Sequence, residues 1–286
     1  MIAKDAHPMW IDTHCHLDAP EFAGQLPEVV AAAKVKNVQA ILLPAVKAAD
    51  FQNVKNIASQ YSDEIPGLAY TLGIHPLYTN QASEQDLAIL DKQIEESLTD
   101  PRFIGIGEIG LDYFVEGLDP QRQAYIFHTQ LDLAQKYQLP VILHVRRSQD
   151  AILKALRQRK LTGGIAHAFN GSFQQAEQFI QLGFKLGFGG AATYERALQI
   201  RRLLVELPFD SLVTETDSPD IPPAWLKQEG VKFNEPAFVA RIAKELAAIR
   251  GVSAEQFAAV VWQNAMQVLP RWKILCTTNP NLSFAS

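Results

Sequence analysis

The chain has 286 residues, a formal net charge of −5 at pH 7, 48 % hydrophobic residues and 20 % charged residues. This length is large for one ordinary domain but normal for an α/β barrel, and the hydrophobic content is sufficient for a large core. No apolar run approaches the ~20 residues that a membrane helix needs, and the acidic balance argues against a broad basic surface for duplex DNA. Phosphate substrates are not excluded, because bound divalent metals would be the largest local charges in their site.

The chain has two cysteines, Cys15 and Cys276, which lie far apart in the sequence. Two such residues do not form a disulfide framework, so we expect a reducing environment and a cytoplasmic location. Nothing in the sequence indicates a membrane or an obligatory protein partner.

The first predicted strand leads into a pair of histidines. Trp10 and Ile11 read as a strand, and His14 and His16 follow it closely. Side chains alternate along a strand, so the two histidines point to the same face. Two imidazoles about 6–7 Å apart along one face can converge on one cation, since histidine is the commonest metal ligand. A lone pair of this kind could also be two polar residues at the end of a strand.

Strand and helix patterns alternate along the rest of the chain. We predict strands near residues 9–13, 38–44, 67–73, 103–107, 140–144, 163–167, 184–188 and 211–215. We predict helices near residues 24–36, 48–60, 84–97, 119–137, 148–159, 173–182, 194–206, 235–249 and 254–267. His128 falls inside the fourth helix, where we interpret it as a surface or packing residue.

Potential metal ligands follow several of these strands directly. Glu108 follows the fourth predicted strand, His144 and His167 end the fifth and sixth, and Glu215 and Asp217 follow the eighth. A closed barrel brings the carboxyl ends of all its strands to one mouth. In an open sheet, the outer strands would be separated by several times the ~4.8 Å strand spacing. We therefore predict a (β/α)₈ TIM barrel with a metal site at its C-terminal mouth, with a doubly wound open sheet as the alternative.

Two segments carry no predicted element. The loop 218–233 is proline-rich, and its Trp225 could stack on a nucleobase or anchor the loop by packing. We expect residues 1–270 to form a single barrel domain, and residues 271–286 to form a loosely held C-terminal tail.

Five motifs, in this order, make the chain resemble the TatD-type metal-dependent deoxyribonucleases of the amidohydrolase superfamily. They are WIDTHCHLD at 10–18, LGIHP at 72–76, IGEIGLDY at 106–113, VILHVR at 141–146 and TETDSP at 214–219. The resemblance extends from about residue 10 to about residue 269. It implies a TIM-barrel hydrolase with a binuclear metal site, in a family of which several members are DNases.

The resemblance also implies that six side chains hold two divalent ions. They are His14, His16 and Asp217 for the first ion and His144 and His167 for the second, with Glu108 bridging the two. A carboxylate has two oxygens and can span two cations ~3.5–4 Å apart. Besides Glu108, Asp217 would be catalytic, because it would accept the proton of the attacking water. Four imidazoles and two carboxylates suit Zn, Mn, Co or Ni, whereas nucleases of the family commonly use Mg.

Further residues at the predicted mouth have two interpretations each. His75 could contact a substrate phosphate or cap its strand, and Arg146 could bind a phosphate or form a salt bridge at the rim. Glu215 could support a metal ligand from behind or belong to a buried ion pair. The chain departs from the family pattern at Phe233, where arginine is frequent, and at Asn170, where serine is common. Both departures bear on substrate contacts more than on the metal ligands.

The leading functional hypothesis is a metal-dependent hydrolase that cleaves phosphodiester bonds in DNA. The alternative is hydrolysis of a small ester, amide or phosphoester, because the same superfamily site serves all three. A third hypothesis, a metal-binding protein without turnover, is disfavoured because every implied ligand is present.

Overall fold

Eight parallel strands follow one another around a ring in chain order. The computed structural model describes residues 8–279 and 282. The strands are β1 (Trp10–Asp12), β2 (Val38–Pro44), β3 (Gly67–Leu72), β4 (Phe103–Asp112), β5 (Val141–Arg146), β6 (Gly164–Ala166), β7 (Phe184–Phe188) and β8 (Leu212–Thr214). The ring returns from β8 to β1, where the Thr13 amide donates a hydrogen bond of 3.0 Å to the Thr214 carbonyl.

Helices alternate with the strands around the ring. They are α1 (Leu26–Val35), α2 (Phe51–Gln60), α3 (Glu84–Ser97), α4 (Pro120–Tyr137), α5 (Gln149–Leu156), α6 (Phe173–Gln181), α7 (Leu198–Glu206), α8 (Ala224–Gln228), α9 (Val239–Arg250), α10 (Ala254–Val268) and α11 (Pro270–Thr278). Three of them begin with a capping box, in which Ser83, Ser172 or Ser253 exchanges hydrogen bonds with the third residue of the helix. The predicted (β/α)₈ barrel is confirmed, and the open sheet is excluded.

The strands are buried on both faces, which explains their nearly continuous apolar sequences. All residues of β3 and β4 are buried, since helices cover the outside of the ring and side chains fill the inside. His14, His144, His167 and Asp217 lie at or just beyond the carboxyl ends of their strands. Those ends form the mouth of the barrel.

The fourth strand differs from its prediction. We expected it to end at residue 107, directly before Glu108, but β4 continues to Asp112. The pairing of β4 with β5 shifts register between Ile106 and Ile109, because three steps along β4 match two steps along β5. Glu108 therefore lies in a bulge within the strand, a feature that re-aims a side chain.

The expectation of a loosely held tail is wrong for residues 271–278. These residues belong to α11, which packs its apolar side onto the barrel through the fully buried Trp272. The indole Nε1 of Trp272 donates a hydrogen bond of 2.7 Å to the carbonyl of Gly67, the first residue of β3. Residues 280, 281 and 283–286 of the predicted tail lie outside the described residues, and the domain boundary at residue 270 stays a prediction.

The loop 218–233 also contains a helix that we did not predict. The short α8 lies in it and buries Trp225, which is 7 % exposed. The guanidinium carbon of Arg241 lies 3.8 Å from the centre of the indole ring. Trp225 is therefore a packing anchor and not a stacking surface for a base. None of the described helices has the length and apolar character that a membrane crossing needs.

Candidate metal centre

Glu108 lies at the centre of a cluster of histidines inside the mouth of the barrel. Its Oε2 atom lies 3.1 Å from Nε2 of His14 and 3.5 Å from Nε2 of His16. Its Oε1 atom lies 2.8 Å from Nε2 of His167 and 3.0 Å from Nδ1 of His144. The two oxygens of one buried carboxylate therefore face two pairs of imidazoles. The pairs adjoin each other, because the rings of His14 and His167 stack with 3.8 Å between their centres.

Asp217 joins the first of these pairs from the end of β8. Its Oδ1 atom lies 3.6 Å from Nε2 of both His14 and His16. The residue has a left-handed backbone with a φ of 57°, and its amide donates a hydrogen bond of 2.8 Å to the His14 carbonyl. This backbone contact fixes the distance between the ends of β1 and β8, and Asp is among the residues that tolerate the left-handed region.

His75 joins the second pair, His144 and His167. The sequence had left its role open between substrate contact and capping of a strand. Its Nε2 atom lies 3.0 Å from Nδ1 of His144 and 3.3 Å from Oε1 of Glu108. Its Nδ1 atom accepts a hydrogen bond of 3.1 Å from the Leu77 amide. His75 therefore caps the turn that follows β3 and also lies inside the cluster. Because Nδ1 accepts this bond, the proton of the neutral ring is on Nε2, which points at the cluster.

Two carboxylates lie behind the histidines, and one of them, Asp112, bonds directly to a histidine ring. Oδ2 of Asp112 lies 3.0 Å from Nε2 of His144, which turns the Nδ1 atom of that ring toward Glu108. Glu215 stands behind His167 with 3.9 Å between Oε1 and Nδ1, a contact longer than a hydrogen bond. The same oxygen accepts a short hydrogen bond from the Ala168 amide, next to His167 in sequence. Carboxylates of this kind fix the ring orientation of metal-binding histidines.

Glu215 fits into this position because its neighbour on β7 is a glycine. A β carbon at Gly187 would lie 2.1 Å from Oε2 of Glu215. Burial raises the pKa of Glu215 to about 8, with His167 acting in the opposite direction. Of the two interpretations of Glu215, support of a ligand from behind agrees with its location.

A buried network ties the segment after β1 to the segment after β8. The Asp12 carboxylate accepts hydrogen bonds from the His14 amide at 3.3 Å and from the Thr216 amide at 2.9 Å. It also accepts one of 2.6 Å from the Thr216 hydroxyl, which in turn lies 2.7 Å from the Ser218 hydroxyl. Asp12 thus holds the backbones that carry His14 and Asp217 side by side.

Burial and mutual charge determine the ionisation of the cluster. Burial acts to raise the pKa of Glu108, but the neighbouring imidazoles, His75 foremost, outweigh it and hold this pKa well below its usual range. Burial lowers the pKa of His75 to about 4, against the attraction of Glu108. It also lowers the pKa of His14, and His167 adds to that effect. Burial acts to lower the pKa values of His16 and His167 as well, but Glu108 outweighs it and raises them to about 9 and about 10. These two rings therefore hold protons at neutral pH, which bound cations would have to displace.

The donor atoms fit divalent cations. Three groups of side chains place their ligand atoms within 4.8 Å of one another, and all three draw on this cluster. Ring nitrogens of His14 and His16 approach to 3.2 Å, and those of His144 and His167 approach to 3.4 Å. Such close approaches of nitrogen lone pairs are favourable when a cation or a proton lies between them. Imidazole nitrogens combined with carboxylate oxygens suit Zn, Mn, Co or Ni.

The cluster lies at the bottom of a cavity of about 1030 Å³ that opens at the mouth. Residues from the loops after several strands line this cavity, and Arg146 and Asn170 are among them. Arg146 is exposed and its guanidinium carbon lies 4.0 Å from the centre of the Phe114 ring. The salt bridge that we considered for Arg146 does not form with any carboxylate among the described residues.

The segment that departs from the family pattern is held by its asparagine. Asn234 is fully buried, and its side-chain amide donates hydrogen bonds of 2.8 Å to the Thr216 carbonyl and 2.9 Å to the Asp220 carbonyl. This residue therefore anchors the loop after β8, while its neighbour Phe233 takes the place at which an arginine is frequent. His128 is a helix residue of α4, as predicted, and its ring lies 6.0 Å from that of Phe127.

Comparison with known proteins identifies the family. A family model described as TatD related DNase matches residues 11–270. A Haemophilus influenzae protein named as an uncharacterized metal-dependent hydrolase is 37 % identical over 266 residues, which cover 91 % of this chain and 98 % of that protein. An Erwinia tasmaniensis protein named as the 3′-5′ ssDNA/RNA exonuclease TatD is 31 % identical, with 90 % of this chain and 98 % of that protein covered.

A solved structure gives the same result. The crystal structure of YjjV, a TatD homologue from Escherichia coli K12, superposes with a TM-score of 0.85 at 36 % identity, over 91 % of this chain and 98 % of that one. The sequence resemblance to TatD-type enzymes is thereby confirmed over nearly the whole chain. The chain belongs to the family of TatD-related DNases and is a metal-dependent hydrolase with a TIM-barrel fold.

Proposed function

We propose that this hydrolase cleaves phosphodiester bonds in single-stranded DNA at a binuclear metal centre. The observation that carries the proposal is the placement of Glu108, whose two oxygens face two adjoining pairs of imidazoles at the base of an open mouth. A relative that is 31 % identical is named as a 3′-5′ ssDNA/RNA exonuclease, which supports a nucleic-acid substrate.

The proposal assigns each side chain of the cluster a role. His14, His16 and Asp217 would hold the first cation. His144 and His167 would hold the second, and Glu108 would offer one oxygen to each group. When bound, two divalent cations supply Lewis acidity, which lowers the pKa of water and polarises a phosphoryl group.

The remaining chemical steps belong to the chain's own residues. Asp217 lies at the edge of the cluster with a side chain that is 12 % exposed to the cavity, and it accepts the proton of the attacking water. His75 presents its Nε2–H to the same space, because its Nδ1 is occupied by the Leu77 amide, and donates a hydrogen bond to a phosphate oxygen. Asp112 holds His144 in the orientation that this arrangement needs.

The mouth of the barrel is open enough to admit a polymer. Sites for small molecules have volumes of ≈ 300–1,000 Å³ and enclose most of the ligand. The cavity here has about 1030 Å³, at the upper end of that range, and Phe114, which is 45 % exposed, is among its lining residues. An open site of this size accepts a chain that continues beyond the reacting bond.

A substrate panel tests this function. Protein loaded with Mn²⁺ or Zn²⁺ is incubated with a 5′-labelled single-stranded oligonucleotide, with bis(p-nitrophenyl) phosphate and with a p-nitrophenyl carboxylic ester. We expect oligonucleotide cleavage with the highest kcat/KM. The matched control is Glu108→Gln, which keeps the side-chain shape but not the bridging charge, and which should reduce turnover at least ~10²-fold. Efficient cleavage of the carboxylic ester with an intact oligonucleotide would contradict the proposal and support the small-ester alternative.

A further inference from the structure

Two arginines and one phenylalanine form a basic cluster on one side of the mouth. The guanidinium carbons of Arg146 and Arg147 lie 4.0 Å and 4.6 Å from the centre of the Phe114 ring. Both distances are within the ≈ 6 Å over which a cation is attracted to an aromatic face. All three side chains are exposed and line the mouth cavity. We call Phe114, Arg146 and Arg147 the rim cluster.

An unusual backbone brings the two arginines together. Consecutive residues of a regular strand point to opposite faces, so Arg146 and Arg147 would not reach one ring if β5 simply continued. Arg147 has a left-handed φ of 54°, which is uncommon for a residue with a β carbon. This turn ends the strand and directs the guanidinium group of Arg147 to the Phe114 ring, which Arg146 also contacts. The chain thus gathers two positive charges at one point of the mouth.

Neither arginine of the rim cluster is neutralised by the protein. Within residues 8–279 and 282, no carboxylate forms an ion pair with Arg146 or Arg147. The arginines that do form ion pairs are Arg122, Arg159, Arg202 and Arg241. Two unpaired guanidinium groups held on an aromatic ring suit an anion from outside the protein, and their forked geometry matches phosphate.

The rim cluster is fixed relative to the candidate metal centre. One oxygen of Asp112 lies 3.0 Å from Nε2 of His144, and the other accepts a hydrogen bond of 2.8 Å from the Phe114 amide. Arg146 follows His144 by two residues in β5, so their side chains leave the same face about 6.6 Å apart along the strand. A phosphate held by the rim cluster therefore lies beside the metal centre and not within it.

The opposite side of the mouth has the opposite charge. Asp18, Glu21 and Asp50, which belong to the segments after β1 and β2, line the same cavity. The nearby Lys47 is paired with Asp50 at 3.9 Å. A polyanion is therefore repelled on this side and attracted on the side of β4 and β5.

We propose that the rim cluster is a phosphate subsite, which binds the phosphate next to the scissile one in a single-stranded nucleic acid. This inference rests on the proposed function, and it assigns the direction in which the substrate backbone leaves the metal centre. The substrate backbone leaves the metal centre on the side of the mouth formed by β4 and β5, away from Asp18, Glu21 and Asp50. Phe114 acts on the substrate through the two arginines, which it holds in place.

The experiment compares substrates with and without a neighbouring phosphate. Metal-loaded parent, Arg146→Gln, Arg147→Gln and Phe114→Leu are assayed on a single-stranded decanucleotide and on bis(p-nitrophenyl) phosphate, which has one phosphate only. We expect each arginine variant to raise KM for the decanucleotide about tenfold with kcat within about twofold, because a charge-assisted contact is lost. Phe114→Leu should raise this KM about threefold. Kinetics on the small diester should stay within about twofold of the parent for all three variants.

A salt titration and a distant control make the result specific. The slope of log KM for the decanucleotide against log salt concentration should become shallower by about 0.7 when one phosphate contact is lost. Arg202→Gln removes the same charge from an exposed position on α7 and should change neither KM nor the slope. Equal effects of the arginine variants on both substrates, or an unchanged KM for the decanucleotide, would overturn the subsite. Failure of the parent itself to cleave the decanucleotide, with the small diester still hydrolysed, would overturn the proposed function instead.

Discussion

Asp217 combines a ligand position with contact to the cavity, and one substitution separates these roles. Asp217→Asn preserves the side-chain shape, and Asn also tolerates the left-handed φ of 57° at this position. The amide oxygen can still approach a cation, but it is neutral and a poor base. We therefore expect a loss of turnover of at least ~10²-fold, the low end of what general acid–base groups contribute. The measurement is kcat on the oligonucleotide together with metal content, and the cation of His144, His167 and Glu108 should remain bound.

His128→Ala is the matched control for this variant. His128 is the one histidine of α4, on the outer layer of the barrel, and its ring packs beside Phe127 rather than in the mouth. Its removal should leave turnover and metal content close to those of the parent. Near-full activity in Asp217→Asn would remove Asp217 from the mechanism. Strong inactivation in a folded His128→Ala would show that the metal centre extends to α4.

Single residues also show how much of the site could be predicted from the sequence. The periodicity of strands placed His14 and His16 on one face, and the structure brings their Nε2 atoms within 3.2 Å of each other. His75 had two interpretations, substrate contact and capping, and its location within 3.3 Å of Glu108 did not follow from either. Its place in the cluster depends on the neighbouring strand, β4, and a tertiary distance of this kind has no signal in local sequence.

At the scale of elements, β4 shows why strand ends are difficult to predict. The glycines and isoleucines of residues 103–107 have a clear strand pattern, but Glu108 is charged and therefore marked an end in our prediction. The strand absorbs Glu108 in a bulge between Ile106 and Ile109 and continues to Asp112. A bulge is a property of two paired strands, so the sequence of one strand does not reveal it.

Helix α11 was not predicted, because contacts with the barrel hold it in place and local sequence does not reveal such contacts. Its contribution to stability can be measured. Trp272 is fully buried and its indole N–H bonds to the Gly67 carbonyl at 2.7 Å. We expect Trp272→Ala to lower the free energy of unfolding by about 3–5 kcal/mol, because it opens a large cavity. Trp272→Phe retains most of the ring but leaves the carbonyl without its donor, and should cost about 1–3 kcal/mol. Reversible urea denaturation gives both values.

The control for these variants lies on the other side of α11. Ile274 is 60 % exposed, so Ile274→Ala should change the free energy of unfolding by less than about 0.5 kcal/mol. If Trp272→Ala is as stable as Ile274→Ala, α11 does not hold the bottom of the barrel and the segment behaves as the tail that the sequence suggested.

At the scale of the whole molecule, the sequence predicted the architecture well and the site in part. Eight strand patterns alternating with helices indicate a barrel, and the ligands after five of them require one common mouth. Which imidazoles each oxygen of Glu108 faces depends on side-chain orientation in the closed ring. The same holds for the positions of Asp112 and Glu215 behind the histidines. The rim cluster depends on the left-handed turn at Arg147, which no residue preference would suggest.

The most direct test of a binuclear centre bridged by Glu108 is the number of cations that each chain binds. Metal-free protein is reconstituted with Zn²⁺, desalted and examined by native mass spectrometry, which separates chains with zero, one and two ions. We predict two ions per chain for the parent and for His128→Ala. We predict one at most for Glu108→Gln, because the amide offers one neutral oxygen in place of the two oxygens of a carboxylate, which share one negative charge and face His14 and His144. A parent chain that saturates with a single ion, or a Glu108→Gln chain that still holds two, would contradict the account.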